Sequence, residues 1–409
     1  MLRAEPAARA TELASPKPAG AEQPKSEGNT NNSRSNEVGR SPRAERTASQ
    51  SRQSPGVDAA LRALATDEDR VGQLLLLGWL GETAEAARPT LRDLRPGGIV
   101  YVDNARTAAA ALAINAALPA IAQEYGVLAP LIAVDHEGGT VQRSGDVANL
   151  GSNAEFAATQ PADRDACLRG QQHAQQLRAM GFTMDLAPVL DVNNNPANPV
   201  IGSRSYGADA ALVARLGSAY VRGLQGGGIA AVGKHFPGHG NTSVDSHVQL
   251  PLLPQTEAEL EQVELVPFRR AIAPDTDIAA LMSAHIVFPS VDPSGVPATL
   301  SYPIITGLLR QKLGFQGLVI SDDLAGMRAI TDNFAPGDAA VQAVRAGVDM
   351  LIIGGGVPRQ RESRDALLAA LASGALSRER VDDAVRHVLA VKARFGLLGD
   401  APAPGPSCP

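Results

Sequence analysis

Eight short apolar runs, each followed by a stretch long enough for a helix, constrain this chain more than any other feature of it. They are "QLLLLG" (73–78), "GGIVYV" (97–102), "PLIAVD" (130–135), "FTMDLAPVLDV" (182–192), "GIAAVGKHF" (228–236), "IAALMSAHIV" (278–287), "GLVISDD" (317–323) and "VDMLIIGG" (348–355). Continuous apolar runs rich in β-branched residues mark parallel strands covered on both faces. The intervening segments include "AALVARLGSAYVRGLQ" (210–225) and "RVDDAVRHVLAVKARFGLL" (380–398), whose apolar residues recur at helical spacing. Residues 58–398 are therefore expected to form an α/β fold, a single (β/α)8 barrel of the TIM type, which takes about 250 residues and grows by insertion. A doubly wound open sheet is the rival, but no GxGxxG turn follows the early strands to favour it.

The ends of the chain differ from this body. Residues 1–57 contain no Phe, Tyr, Trp or Ile and are expected to be a disordered leader, because they have too little apolar surface to offset the entropy of ordering a backbone. Residues 399–409, "GDAPAPGPSCP" from Gly399 onward, read as a Pro-rich tail. The first residues lack the apolar core of a secretory signal and no apolar run reaches membrane-spanning length, so a cytoplasmic protein without a membrane span is expected. Two cysteines, Cys167 and Cys408, cannot make a disulfide framework and are compatible with a reducing compartment. A net charge of −6 gives no reason to expect nucleic acid as a partner, and a monomer is the default.

A barrel of this kind carries its chemistry where the strands end. That is where the polar residues fall: Asp135 and Glu137 after "LIAV", Asp191 and Asn193 after "APVL", and Lys234 and His235 after "IAAVG". His285 lies in "MSAHIV", and Asp322 and Asp323 follow "LVIS". A lone acid after a strand can be a helix N-cap, and Asp323 suits that role better than Asp322.

The stretch "KHFPGHGNTSVDSH" (234–247) gathers His235, His239 and His247 from a chain with only 7 histidines. His235 and His239 have the i, i+4 spacing of a helical metal pair, but Pro237, Gly238 and Gly240 rule out one helical turn, and there is neither an HExxH nor a Cys cluster. No metal and no cofactor are therefore expected. Acid–base work fits better. Asp245 stands two residues before His247, and a carboxylate beside an imidazole fixes its tautomer and supports its charge, provided a locally extended backbone points both the same way.

The same stretch resembles the signature of glycoside hydrolase family 3, in its β-N-acetylglucosaminidase branch. "DHEGGTVQR" (135–143) is similar to that family's D-x-E-G-G-x-V-x-R, "IGSRSYG" (201–207) to its I-G-x-R-S-F/Y segment, and "ISDDLAGM" (320–327) to its nucleophile strand end. The resemblance implies retaining hydrolysis of a carbohydrate. Asp322 would be the nucleophile, and His247 the acid/base oriented by Asp245. Asp135, Arg143, Arg204, Lys234 and His235 would line the pocket for a terminal N-acetylglucosamine, with Lys234 a candidate to keep Asp322 ionised. His239 would be structural within its loop, and His173 and His387 ordinary surface or packing residues. His136, Thr140 and Asn241 depart from the usual pattern and would alter the pocket rim. The implied substrate is a peptidoglycan-derived N-acetylglucosaminyl sugar, with chitooligosaccharide ends next. The competing readings are a β-glucosidase or a phosphorylase of the same family, a non-catalytic sugar-binding barrel, and a metal-dependent hydrolase.

Overall fold

The computed structural model describes residues 54–79, 81–102, 107–144, 146–399 and 408. The expected leader up to residue 53 and most of the expected tail lie outside the described residues. Residues 55–57, at the end of that leader, open the helix Pro55–Ala63, where the Ser54 side chain caps Val57 N–H and Val57 is fully buried.

The strands are β1 (Leu75–Trp79), β2 (Gly98–Tyr101), β3 (Leu131–Val134), β4 (His136–Gly138), β5 (Val141–Gln142), β6 (Met184–Asp185), β7 (Ala230–Phe236), β8 (Ala280–Ser283), β9 (Leu318–Ser321) and β10 (Leu351–Ile353). Eight of them form one parallel sheet in the order β10-β1-β2-β3-β6-β7-β8-β9. A parallel bridge between Ile320 and Met350 joins the two end strands, so the sheet closes into the expected barrel. The short strands β4 and β5 pair antiparallel as a hairpin directly after β3. Each of the eight apolar runs supplies one barrel strand.

Successive residues of each strand face opposite sides. Leu76, Val100, Leu131, Ala133, Val232, Met282, Leu318, Ile320 and Ile352 pack together as the lumen. Their neighbours Leu75, Leu77, Ile99, Ile132, Leu281, Val319 and Ile353 pack outward against the helices. The helix Arg378–Arg394 adds Val388 and Val391 to the lumen cluster, while its Lys392 donates to Gln73, just ahead of β1. This helix therefore closes the N-terminal end of the barrel and leaves the other end to the loops.

The run at 182–192 yields only two residues of regular strand. Beyond Asp185 the chain follows β7 irregularly, through Val232 N–H to Ala187 O at 3.0 Å and Lys234 N–H to Pro188 O at 3.1 Å. Pro188 has no N–H to give back, so the regular ladder breaks there, and pairing resumes only as a bridge at Val189, with Leu190 N–H on the Lys234 carbonyl at 2.6 Å.

The expectation about the cysteines needs correction. Cys167 and Cys408 form a disulfide across 241 residues of sequence, with their Cα atoms 5.5 Å apart. Cys167 lies buried on the helix Asp163–Ala179, and Cys408 packs against the apolar cluster that contains Cys167, Tyr206, Val213 and Leu216. Among the described residues no helix is long and apolar enough to cross a membrane.

Candidate active site

The C-terminal ends of β3, β7 and β9 bring the sequence candidates together. Lys234, at the end of β7, is almost completely buried, and its Nζ donates to Asp135 Oδ1 at 2.5 Å and to Glu137 Oε1 at 2.7 Å. Arg204, from the loop before the helix Ala210–Gly226, grips the same Glu137 in a fork: Nε to Oε2 at 2.8 Å and Nη2 to Oε1 at 2.7 Å. Burial alone would push the Glu137 carboxyl up, but the Arg204 and Lys234 charges overcome it and hold it far below the usual range. Burial likewise disfavours the Lys234 ammonium, and Asp135 and Glu137 more than restore it. Asp135 is the one acid of this group left partly open to solvent. Arg143 is the outermost candidate: an exposed residue whose backbone N–H donates to the Asp135 carbonyl at 3.1 Å.

His235 is held from behind. Its Nδ1 bonds Asp191 Oδ2 at 2.7 Å, and the buried Asp191 also accepts the backbone N–H of His235 at 3.2 Å and of His239 at 2.7 Å. A carboxylate accepts only, so Nδ1 carries the hydrogen and Nε2 meets no hydrogen-bond partner among the described residues. The Lys234–His235 peptide is cis.

Asp322 lies just beyond β9, partly exposed, with its Oδ1 accepting the backbone N–H of Asp323 at 2.8 Å. Desolvation raises its carboxyl, yet the imidazoles of His285 and His235 and that N–H together bring it below the ordinary value, so it is a carboxylate at neutral pH. The expected helper Lys234 is engaged by Asp135 and Glu137 instead; the imidazoles do that work. His285 is itself fixed, Nδ1 with Thr299 Oγ1 at 2.9 Å and Nε2 with the Asp323 carbonyl at 3.2 Å. Asp323 does not cap a helix. Its Oδ1 takes the N–H groups of Ala325, Gly326 and Gly354 at 2.9, 3.0 and 2.8 Å, pinning the turn after β9 to the end of β10.

The stretch from Pro237 to Gln249 forms the flap over this end. Asp245 Oδ1 accepts both the backbone N–H and the Nδ1–H of His247, each at 2.8 Å. The expected extended backbone is replaced by a tight turn, in which Val248 and Gln249 N–H both return to the Asp245 carbonyl at 3.0 Å. Burial raises the Asp245 carboxyl, but the two donors from His247 outweigh it and the group stays low. His247 is 62% exposed and its Nε2 faces outward from this pair. The flap is tied to the Asp322 side, because Arg328 and Ala329 donate their N–H groups to the carbonyls of His247 and Ser246 at 3.2 and 3.3 Å. His247 also lies near enough for its charge to lower the Asp322 carboxyl.

The glycosyl hydrolase family 3 N-terminal domain matches residues 66–391. The chain belongs to that family. It is 33% identical over 320 residues to beta-hexosaminidase A of Pseudoalteromonas piscicida, covering 73% of this chain and 53% of that protein. It is 32% identical over 345 residues to a beta-N-acetylglucosaminidase/beta-glucosidase of Cellulomonas fimi, covering 81% of this chain and 58% of that protein. This family 3 chain thus spans a little over half the length of those two curated relatives. Among solved structures it resembles a family 3 beta-N-acetylglucosaminidase from Paenibacillus sp. str. FPU-7, at 43% identity and a TM-score of 0.79, covering 83% of this chain and 64% of that one.

Within the family 3 barrel, three residues that carry the site were noted at strand ends without a role: Glu137, Asp191 and His285. Each is a buried polar group, and the sequence signal for it was a strand-end position, joined for Glu137 by its place in the D-x-E-G-G motif. His136, expected at the rim, is fully buried behind it, with its ring edge-on to His173 at 4.9 Å. His173 and His387 are buried, the packing alternative of the expectation; His173 Nδ1 meets Tyr220 Oη at 2.6 Å. Among the described residues, the acid and histidine group close enough to share a cation is Asp349, Asp383 and His387. Asp349 there is already paired with Arg310 and Arg380, a poor setting for a further positive charge.

Proposed function

We propose that this family 3 chain is a retaining exo-β-N-acetylglucosaminidase, acting on terminal N-acetylglucosamine of peptidoglycan-derived muropeptides or of chitooligosaccharides. The observation that carries the reading is the Asp245–His247 pair, built on a flap that hangs from the segment just after Asp322. A plain sugar binder has no use for an oriented imidazole opposite an ionised carboxylate. The names of the relatives agree with the substrate class.

In the proposed reaction the Asp322 carboxylate attacks the anomeric carbon as the glycosidic C–O bond breaks, and the His247 imidazolium gives its Nε2 proton to the departing oxygen. The Asp245 carboxylate keeps Nδ1–H in place, so that Nε2 is the nitrogen that exchanges protons. Neutral His247 then takes a proton from water as the oxygen of that water attacks the anomeric carbon and releases Asp322. Asp135, Arg204, Lys234 and His235 supply donors and acceptors for the hydroxyls of the sugar, with Arg143 at the edge. Glu137 and Asp191 hold these groups in register, a role that matters because unpaired polar groups in such a pocket are costly.

The test is trapping with a 5-fluoro N-acetylglucosaminyl reagent followed by peptide mass mapping. The label is expected on Asp322, within "ISDDL", and Asp322→Ala is expected to abolish turnover of every substrate. A chromogenic N-acetyl-β-glucosaminide is expected to be cleaved well and the matching glucoside poorly. A label on another residue, or the opposite sugar preference, overturns the reading.

A further inference from the structure

The flap that carries Asp245 and His247 is not held by the pair itself. The buried imidazole of His239 runs between its base and its tip. Its backbone N–H donates to Asp191 Oδ1 at 2.7 Å, which fixes it to the same carboxylate that orients His235. Its ring then bridges two points of the flap: Nδ1 meets Thr242 Oγ1 at 2.9 Å and Nε2 meets Ser246 Oγ at 3.0 Å. Ser246 is buried and stands between Asp245 and His247 in the chain. The flap base is seated equally closely, since a Cβ on Gly240 would fall 1.7 Å from the Val192 carbonyl oxygen.

We propose that His239 and Ser246 form a latch that positions the Asp245–His247 pair, making both of them positioning residues for proton transfer. This rests on the reading of His247 as the acid/base, and it adds what holds that group in place. Without the latch the flap keeps its two backbone bonds to Arg328 and Ala329, and its base stays seated through the His239 N–H on Asp191 and the Asn195 and Asn198 amides, but Ser246 loses its tie to that base. His247 then samples positions from which the leaving oxygen is out of reach. Burial holds the His239 imidazole neutral, down to about 4, so the latch persists through the working range of the site. Other charges facing that ring are His235, Asp191 and Asp322.

The chemistry of the latch predicts which substitutions keep it. A glutamine amide nitrogen can stand where Nε2 stands and an asparagine nitrogen only where Nδ1 stands. His239→Gln therefore retains the bond to Ser246, while His239→Asn and Ser246→Ala lose it. Two measurements on the full chain decide. The first is amide hydrogen exchange of residues 243–249, which is expected to speed up in H239N and S246A, to stay near wild type in H239Q, and to leave the barrel strands unchanged.

The second compares a substrate with a sugar leaving group against a dinitrophenyl glycoside that needs no proton. Since general acid catalysis contributes about 10²–10⁴-fold, H239N and S246A are expected to lose roughly 10-fold or more on the first substrate and less than about 3-fold on the second. Unchanged flap exchange overturns the latch, and so do equal losses on both substrates. If wild-type protein cleaves neither substrate, the proposed function fails, while flap exchange still decides the latch.

Discussion

Asp245 Oδ1 receives two hydrogens from His247, one from the backbone and one from the ring, both at 2.8 Å. One oxygen thereby fixes both the turn and the tautomer. Asp245→Ala removes the two together. Turnover of substrates with sugar leaving groups is expected to fall by about 10²–10³-fold, and that of dinitrophenyl substrates much less. Steady-state kinetics on the two substrates checks this, and equal losses would count against proton transfer through the pair.

Glu137 is the shared anchor of Arg204 and Lys234, and it is only 1% exposed. Removing one partner of a buried ion pair costs about 3–5 kcal/mol, because the remaining charge stays desolvated. Glu137→Gln is therefore expected to lower the melting temperature clearly and to raise KM, even though its amide nearly matches the shape of the carboxylate. Calorimetry together with sugar-binding titration measures both effects.

Acid should unfold this protein in a window set by buried histidines. Desolvation lowers His136 to about 4, His173 to about 3 and His239 to about 4, against an ordinary 6.5. Below 6.5 the unfolded chain takes up these protons and the folded chain does not, so stability is lost as pH falls. The loss begins near 6.5, continues to about 4, and amounts to about 1.4 kcal/mol per pH unit for each residue. Glu137, held low by its cations, adds to the loss only below its ordinary 4.5. Melting curves from pH 7.5 to 4 are expected to show the decline, and a shallower slope is expected in His136→Gln.

The Cys167–Cys408 bridge closes a very long loop and ties the end of the chain to an outer helix. Removing such a bridge costs about 2–4 kcal/mol, chiefly by freeing the unfolded chain. Cys167→Ser is expected to melt at a lower temperature than wild type and to match it in activity at 25 °C. Mass mapping of unreduced peptides is expected to recover residues 167 and 408 joined. Two free thiols in protein isolated from its own cell would point to a reducing compartment after all.

Much of the fold was legible because parallel strands buried on both faces must be continuous apolar runs, and each of the eight runs became one barrel strand. The run at 182–192 was the poorest guide, since Pro188 cannot donate to the ladder. The candidate site was legible where one motif holds the whole relationship, as with Asp245 and His247. It was not where partners are distant. Arg204 and Glu137 are 67 residues apart and the two cysteines 241, and nothing local to either member announces the other. His136 shows the opposite failure: its place in a motif suggested the rim, but the pleat of β4 turns its ring inward.

Arg328 and Ala329 suspend the flap from the stretch of chain that begins at Asp322. The proposed proton carrier is thereby leashed to the carboxylate it would serve, and the length of the leash is a handful of residues. If the flap swings to admit a bulky leaving group, its return point is measured from that carboxylate as well as from Asp191 at its base.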